Sequence, residues 1–522
     1  MKTVSGSQMR KIEQVAIDEL GIPSILLMEN AANRLAEHCF RIIDERKNSS
    51  DQISKILIIC GQGNNGGDGM ALARLLHLKG VDTKIIYTGD TEKAKGDAAV
   101  YLEIIKKLSI PLKIIPLTGD LQEIKNDIET HDLVIDAMFG TGLDRNVEGN
   151  FKSLTEAINC YAKYVISADI PSGINSDNGR VMGCAVKASE TVTFGFPKTG
   201  LYIYPGAEYA GKIHIEDITI PHSLINRIDI DAEILAEKEA RALLPVRKQR
   251  SNKGDYGRII VFAGSNEMPG AAALACSASY KTGGGLVSAY VLPNVAKVIQ
   301  NWQREVITHF VPEKNGMYCK KSIENLKEEI NSADVIVAGP GIGRNSDVTE
   351  FVRELIYIAE VPLVLDADAL FAVSENLSIL KEIKAPCVIT PHPGEMSRLT
   401  GLSVQEILNN ISGTAVRFSR EYNVITLLKD AHTIIAKPDG RFNINITGNN
   451  ALSKAGTGDV LTGMIAGYIA QYSQRENRTV SETDIFNACI LGAYYHGKSG
   501  EAAARNKSCY SVTAEDLLTQ GI

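Results

Sequence analysis

Residues 56–78 read ILIICGQGNNGGDGMALARLLHL: a short apolar strand, a glycine-dense loop, then a helical run from Met70 to Leu78. Strand, glycine loop, helix is how a Rossmann-type unit opens, and it places the chain in the α/β class. Gly61, Gly63 and Gly66 satisfy GxGxxG, a spacing that by itself arises in many glycine-rich turns. The ordinary dinucleotide fingerprint also wants an acid closing the next strand, and residues 83–87 are followed by Thr88 instead. Asn64, Asn65 and Asp68 crowd side-chain oxygens and amides into the loop. A tight turn does not require them, although a plain polar turn is the bland alternative.

The pattern extends in both directions. Upstream, residues 9–43 carry apolar positions at helical spacing, and Gly21-Ile22-Pro23 breaks them into two helices. Downstream, residues 133–135 form a strand ending in Asp136, followed by the loop 138–146. Residues 164–167 form another, ending in Asp169-Ile170-Pro171-Ser172. A strand at 191–194 is followed by Pro197 and the cation Lys198. Each acid alone reads as a cap or turn residue. Three polar loops at the carboxyl ends of successive parallel strands point to one shared ligand site.

Between residues 218 and 246 the alternation lapses into a polar segment, and residues 229–241 read as a helix. A boundary is expected there, giving domains 1–225 and 235–522. A second α/β series follows, with strands at 259–263, 335–338, 363–365, 388–389 and 424–428 and a hairpin at 434–446. Asp366 and Asp368, spaced two apart on an extended chain, would face opposite sides. His392, between two prolines, reads equally as a loop cap or a ligand contact. Near the end, Ala455-Gly456-Thr457-Gly458-Asp459 runs straight into the apolar helix 460–470. Unpaired amides at such a helix start make an anion seat. The carboxylate there is either an N-terminal cap or a base beside a transferring phosphoryl group.

Composition excludes several classes. Hydrophobic residues make up 44% and charged residues 22%, an ordinary globular balance, and the net charge of −7 argues against general nucleic-acid binding. Nine cysteines without a CxxC pair form neither a disulfide framework nor a zinc site. With no apolar leader and no membrane-length run, a cytoplasmic protein is expected. No Walker GxxxxGK[ST] or kinase DFG set is present.

The motifs GQGNNGGDG, VIDAMFGTGLDR, ADIPSG and TVTFGFPKTG, in that order and after MENAA, resemble the NAD(P)H-hydrate epimerase family over residues 1–220. The resemblance implies that Asn64, Asn65, Gly66, Gly67 and Asp68, with Gly140, Thr141, Gly142, Leu143, Asp144, Arg145, Asn146 and Asp169, surround the substrate. It implies a potassium ion against Asn65, Asp136 and Ser172, with Asp169 as acid–base residue. Oxygen ligands suit such a hard cation. Further on, NKGDYG, GSNEMPGAA, GPGIG, DADAL, TPHPGE, KDAHT and AGTGD resemble the ADP-dependent NAD(P)H-hydrate dehydratases, a ribokinase-like branch, over residues 235–522. That resemblance implies substrate contacts from Ala272, Gly343, His392 and Asp459, with Asp459 catalytic. It implies ADP with magnesium against Lys429, Asp430, Ala431, His432, Thr433 and Gly458. Where that family usually has Lys-Gly-Ala, this chain has Lys429-Asp430-Ala431.

The expected architecture is therefore an N-terminal Rossmann-like three-layer sandwich followed by a C-terminal ribokinase-like domain. The expected chemistry is epimerisation of the R and S hydrates of NADH and NADPH, then ADP-dependent dehydration of the S hydrate, releasing AMP and phosphate. The substrates are small molecules, with no nucleic acid or membrane partner and a homo-oligomeric assembly. The alternative is a ribokinase-like vitamin-precursor kinase with an N-terminal nucleotide-binding or scaffolding module.

Overall fold

The computed structural model describes residues 1–47, 51–115, 122–474 and 480–519. It divides into two units, Lys2–Ala232 and Glu233–Ile522 together with Met1. Among the described residues no helix is long and apolar enough to cross a membrane, and the nine cysteines are all unpaired.

Two short strands, β1 (Lys2–Thr3) and β9 (Ala232–Glu233), flank the series that builds the first unit. Its sheet comprises β2 (Lys55–Cys60), β3 (Asp82–Thr88), β4 (Leu112–Ile115), β5 (Leu133–Ala137), β6 (Val165–Ala168), β7 (Glu190–Phe194) and β8 (Lys212–Glu216). The order is β4-β3-β2-β5-β6-β7-β8, with every pairing parallel. Alternate residues of each strand enter two separate cores. Ile56, Ile58, Ile85 and Ile135 pack with the helices Gly6–Asp18, Ser24–Arg46, Asn64–Leu78 and Gly96–Lys107. Leu57, Ile59, Ile86 and Val134 pack with Leu154 and Ile158 on the other face. Helices cover both faces, which makes the three-layer sandwich.

The second unit repeats the logic with β10 (Arg258–Phe262), β11 (Leu286–Val291), β12 (Ile307–Phe310), β13 (Val335–Ala338), β14 (Leu363–Leu365), β15 (Cys387–Ile389), β16 (Ile425–Leu428), β17 (Thr433–Ala436) and β18 (Phe442–Asn445). The order runs β12-β11-β10-β13-β14-β15-β16-β17-β18. Pairings are parallel as far as β16 and antiparallel in β16-β17-β18, where the hairpin sits. Behind this sheet the helix Thr457–Ser473 lies against Pro269–Lys281, a close approach its glycines permit. A Cβ on Gly463 would stand 2.3 Å from the Ala275 carbonyl oxygen.

Each sheet reverses direction once, between β2 and β5 and between β10 and β13, and the strand ends there are in register. Cys60 pairs with Ala137 and Phe262 with Ala338. Chains diverging from such a switch point leave a crevice at the carboxyl ends.

Four expectations change. The helix after the glycine loop starts at Asn64 rather than Met70, with Gly63 at its N-cap. The polar run 229–241 is helical only over Glu237–Leu243, because Pro245 and the extended stretch around β9 leave room for little more. The strand expected to end in Asp136 runs one residue further, to Ala137, and Asp136 is fully buried within β5. The chain at Asp366 and Asp368 is not extended: Ala367 has φ +50° and Asp368 begins the helix Asp368–Ser374. The edge strands β4, β8 and β12, together with β11, carry no strong pattern and were not anticipated.

Candidate active sites

In the first unit the glycine-rich segment is a helix start rather than a free loop. A Cβ on Gly66 would lie 1.9 Å from the Gly61 carbonyl oxygen, and one on Gly61 2.0 Å from that of Met138. The glycines therefore let helix and loop close on each other, leaving the amides of the first turn outward as an anion seat. Thr88, where a dinucleotide fold would offer an acid, donates to the Cys60 carbonyl at 2.9 Å.

Asn65 enters this seat buried, and neither Oδ1 nor Nδ2 has a hydrogen-bond partner. Gly140, from the next loop, lies beside it: its Cβ would stand 3.3 Å from Asn65 Cβ. Asp136 is close to saturated. Its Oδ2 accepts from Ser167 Oγ at 2.9 Å and the Ser172 amide at 2.8 Å, and its Oδ1 accepts from Ser172 Oγ at 2.5 Å. Burial raises this carboxyl above its ordinary value, and the hydrogen bonds from Ser172, Ser167 and the Met138 amide oppose that rise.

Asp169 leaves β6 with φ +66° and accepts from Thr193 Oγ1 and the Phe194 amide, both at 3.1 Å. Lys198 Nζ donates to the same Asp169 oxygen and, at 2.8 Å, to the Phe194 carbonyl. This lysine is 1% exposed, and the Asp169 carboxylate is its buried partner. Two further acids reach the pair. Burial, then repulsion from Asp169 and Glu13, push Asp68 well above the ordinary carboxyl range. Burial also raises Glu13, while Lys198 pulls it down. Lys198 was visible in TVTFGFPKTG. Glu13 was missed, because a lone acid on the amphipathic helix Gly6–Asp18 carries no local signal. Thr141 is tied in through its carbonyl, which accepts from Arg10 at 3.2 Å, and Gly142 faces open space. Leu143 closes a turn on the Gly140 carbonyl, whereas Asp144, Arg145 and Asn146 stand exposed on the outer part of the loop.

In the second unit the loops after β14 and β16 bring Asp366 and Lys429 to the first turns of the helix Thr457–Ser473. Gly339, Gly341 and Gly343 all have positive φ, and Gly264 donates to the Pro340 carbonyl at 2.7 Å across the switch point. The Gly343 amide donates to Asp368 at 3.0 Å, and Arg344 Nε to the same carboxylate at 2.5 Å. Ala272 is fully buried in its helix. His392 caps the helix Pro393–Thr400: its Nδ1 accepts from the Gly394 and Glu395 amides at 3.0 and 3.3 Å, and its own amide donates to Glu395 at 2.9 Å. The ring stays largely exposed, with its Nε2 3.6 Å from Glu395 Oε1.

The Lys429 amide donates to the Pro391 carbonyl at 2.8 Å, which ties the β16 loop to that of β15. Its Nζ donates to Asp366 Oδ1 at 3.1 Å. Burial alone would lower the ammonium, but Asp366, Glu395 and Asp459 together raise it. Asp430 is raised by burial, against the Ala431 amide and His432. Ala431 is exposed, and Thr433 opens β17. Gly458 adjoins the lysine: a Cβ there would be 3.6 Å from Lys429 Nζ.

Gly456, with φ +89°, is the N-cap of the helix Thr457–Ser473 and provides no side-chain cap. Asp459 is thus third in the helix and is not the cap. Its carboxylate accepts no hydrogen bond among the described residues. Burial and then Asp366 raise it to about 7, against the pull of Lys429 and with a further push from Asp368. An unpaired acid that ionises near neutrality, in the first turn of an anion-seating helix, is equipped to take a proton beside a phosphoryl group.

The comparisons agree with this division. A family model described as NAD(P)H-hydrate dehydratase matches residues 259–521, and one described as YjeF-related protein N-terminus matches residues 24–200. The chain is 37% identical over 519 residues to the "Bifunctional NAD(P)H-hydrate repair enzyme Nnr" of Moorella thermoacetica, covering 99% of this chain and 95% of that one. It is 34% identical to the protein of the same name from Thermofilum pendens, with the same coverage of both. A solved ADP/ATP-dependent NAD(P)H-hydrate dehydratase from Bacillus subtilis, co-crystallised with ATP and Mg2+, is 30% identical, covering 55% of this chain and 94% of that one at a TM-score of 0.45. With so much of both sequences shared and both family models matched in order, the chain belongs to the bifunctional NAD(P)H-hydrate repair enzymes.

Proposed function

We propose that the second domain restores NADH and NADPH from their S hydrates at the expense of ADP, and that the first interconverts the R and S forms. The observation that carries the reading is Asp459: a carboxylate with no hydrogen-bond partner among the described residues, held near its ionisation point beside Lys429 and close in sequence to the amides of Gly456 and Gly458. Hydroxide is a poor leaving group at neutral pH and phosphate a good one. Asp459 takes the proton of the hydrate's hydroxyl as its oxygen attacks the terminal phosphoryl of ADP, and AMP departs. The amides and Lys429 balance the charge that develops. The ring nitrogen's electron pair then expels phosphate, and loss of a proton from the adjacent carbon restores the reduced ring. Lys429, Asp430, Ala431, His432, Thr433 and Gly458 border the ADP, while Ala272, Gly343 and His392 border the hydrate. Magnesium, when bound with the nucleotide, supplies further neutralisation of its phosphates.

In the first domain the amides of Asn64, Asn65 and Gly66 seat the diphosphate of the hydrate, and Gly67, whose own amide donates to the Gly63 carbonyl, keeps the seat free of a side chain. Asp169, oriented by Lys198, moves the proton that inversion at the hydroxyl-bearing carbon requires. The donor types suit a potassium ion: Asn65 keeps an orphaned amide oxygen, Asp136 and Ser172 add a carboxylate and a hydroxyl, and all are hard ligands. Bound there, the ion would screen the substrate's phosphates from Asp68 and Asp136. The protein is expected to act in the cytoplasm as a homo-oligomer, which light scattering after size exclusion checks. The functional test is ADP-dependent recovery of reduced-nicotinamide absorbance from the hydrate. No recovery by the wild-type chain sinks the dehydratase reading.

A further inference from the structure

Asp366 is given no ligand contact in the reading above, yet it touches both Lys429 and the helix that carries Asp459. It follows β14, is 1% exposed, and its backbone is pinned from both sides. Its amide donates to the Ala338 carbonyl at 3.1 Å. A Cβ on Gly339 would come within 1.8 Å of its carbonyl oxygen. The carboxylate divides its two oxygens. Oδ1 accepts from Lys429 Nζ at 3.1 Å, and Oδ2 accepts from Thr462 Oγ1 at 2.8 Å. Thr462 is one turn beyond Asp459 on the same helix and so shares its face. Gly458 lies over the pair, its Cβ position 3.6 Å from Nζ and 4.0 Å from Asp366 Oδ2.

On the reading that dehydration runs through Asp459, we infer that Asp366 is the positioning residue of that site, tying the Lys429 ammonium and the Asp459 helix to one buried carboxylate. A buried charge is costly unless its partners are well placed, and here each oxygen holds a different part of the machinery. The ammonium is kept at the mouth of the anion seat instead of lying free. The fixed negative charge also acts on Asp459. Of the groups facing Asp459, Asp366 and Asp368 oppose its ionisation and Lys429 favours it. Asp368 is already engaged by Arg344, Lys429 also faces Glu395, and the His496 ring is neutral and turned to the Thr457 carbonyl. Asp366 is thus the largest side-chain charge holding Asp459 back from ionising too early.

The test is the pH profile of ADP-dependent dehydration by the full chain, followed through reduced-nicotinamide absorbance. In Asp366→Asn the acid limb of kcat/KM moves to lower pH by about one unit, since a like charge has been removed, and KM for ADP rises as Lys429 loses its anchor. A lower kcat on an unmoved limb is what a structural role alone produces, and it overturns the assignment. Thr462→Val keeps the charge and removes one anchor: KM for ADP rises while the limb stays. Unchanged kinetics in this variant overturn the anchoring even where the asparagine variant fails to fold. A wild-type chain inactive with ADP is a separate result, which rejects the dehydratase reading itself.

Discussion

At the scale of single residues, environment decides what an ionisable group can do. Asp459 is raised to about 7, so as a base it is half ready at neutral pH. Dehydration should fall as pH drops below that value, and Asp459→Asn should lower kcat by a factor of about 10²–10⁴ while epimerisation continues. The same shift has a stability sign. An acid whose folded value lies above its unfolded one destabilises the fold once ionised, so stability is lost as pH rises from about 4 to about 7. Asp459→Asn should therefore raise the Tm of the full chain at pH 8 by about 2 °C or more, which calorimetry reads. His496 works in the other direction. It is buried, lowered to about 4, and donates to the Thr457 carbonyl at 2.9 Å. Its neutral form belongs to the fold, so its contribution is whole above pH 6.5 and is lost as pH falls toward 4, on the order of 3 kcal/mol in all. A His496→Phe chain should lose that segment of the Tm-against-pH curve.

Elements are held in place by two contrasting devices. The helix Thr457–Ser473 reaches its position because Gly463 and Gly467 let it approach the backbone of Pro269–Lys281. Gly463→Val would drive methyls into the Ala275 carbonyl, and denaturant melts should show a loss of at least about 1–3 kcal/mol. The helix Ser24–Arg46 is instead tied to its sheet by hydrogen bonding to a buried carboxylate. His38 Nε2 and His214 Nε2 both stand 2.7 Å from Glu190 Oε2, and Tyr164 donates to the other oxygen. Burial would raise the Glu190 carboxyl, and the hydrogen bonds from Tyr164 and His38 outweigh it, holding it below its ordinary value. Glu190 opens β7, at the amino edge of the sheet, whereas Asp169 lies beyond the carboxyl end of β6. Glu190→Ala should then cost about 3 kcal/mol with the epimerase KM unchanged.

For the whole molecule, the two units are separate solutions to the same problem: a sheet that reverses once and gathers polar loops at the reversal. Because the proposed chemistry is divided between them, single-site variants of the full chain should complement one another. Asp169→Asn should still dehydrate the S hydrate and leave the R form untouched. An equimolar mixture of Asp169→Asn and Asp459→Asn should clear both, and stopped conversion at the S fraction in that mixture would refute the division. Sequence was informative at this scale because parallel strands buried on both faces write themselves as apolar runs, each closed by glycine or an acid. It was uninformative for β4, β8 and β12, whose edge positions bury one side only and leave no such run.

The sequence by itself determined the α/β class, the two-domain order and the polar, glycine-rich loops at the strand ends, because strand hydrophobicity and glycine at closely packed turns are local requirements. It could name Asp459 and leave open whether it was a cap or a base. Only the tertiary structure removed the cap reading, by giving the N-cap to Gly456, and it brings Asp366 and Lys429 to the carboxylate from distant strands. The cap at His392, whose Nδ1 accepts from the Gly394 amide, was also one of two readings until the helix that follows it was seen. Glu13 and Lys198 likewise acquire their part only when a helix and a loop remote in sequence converge on Asp169. Burial and charge proximity are sums over neighbours, and no stretch of sequence contains its own neighbours.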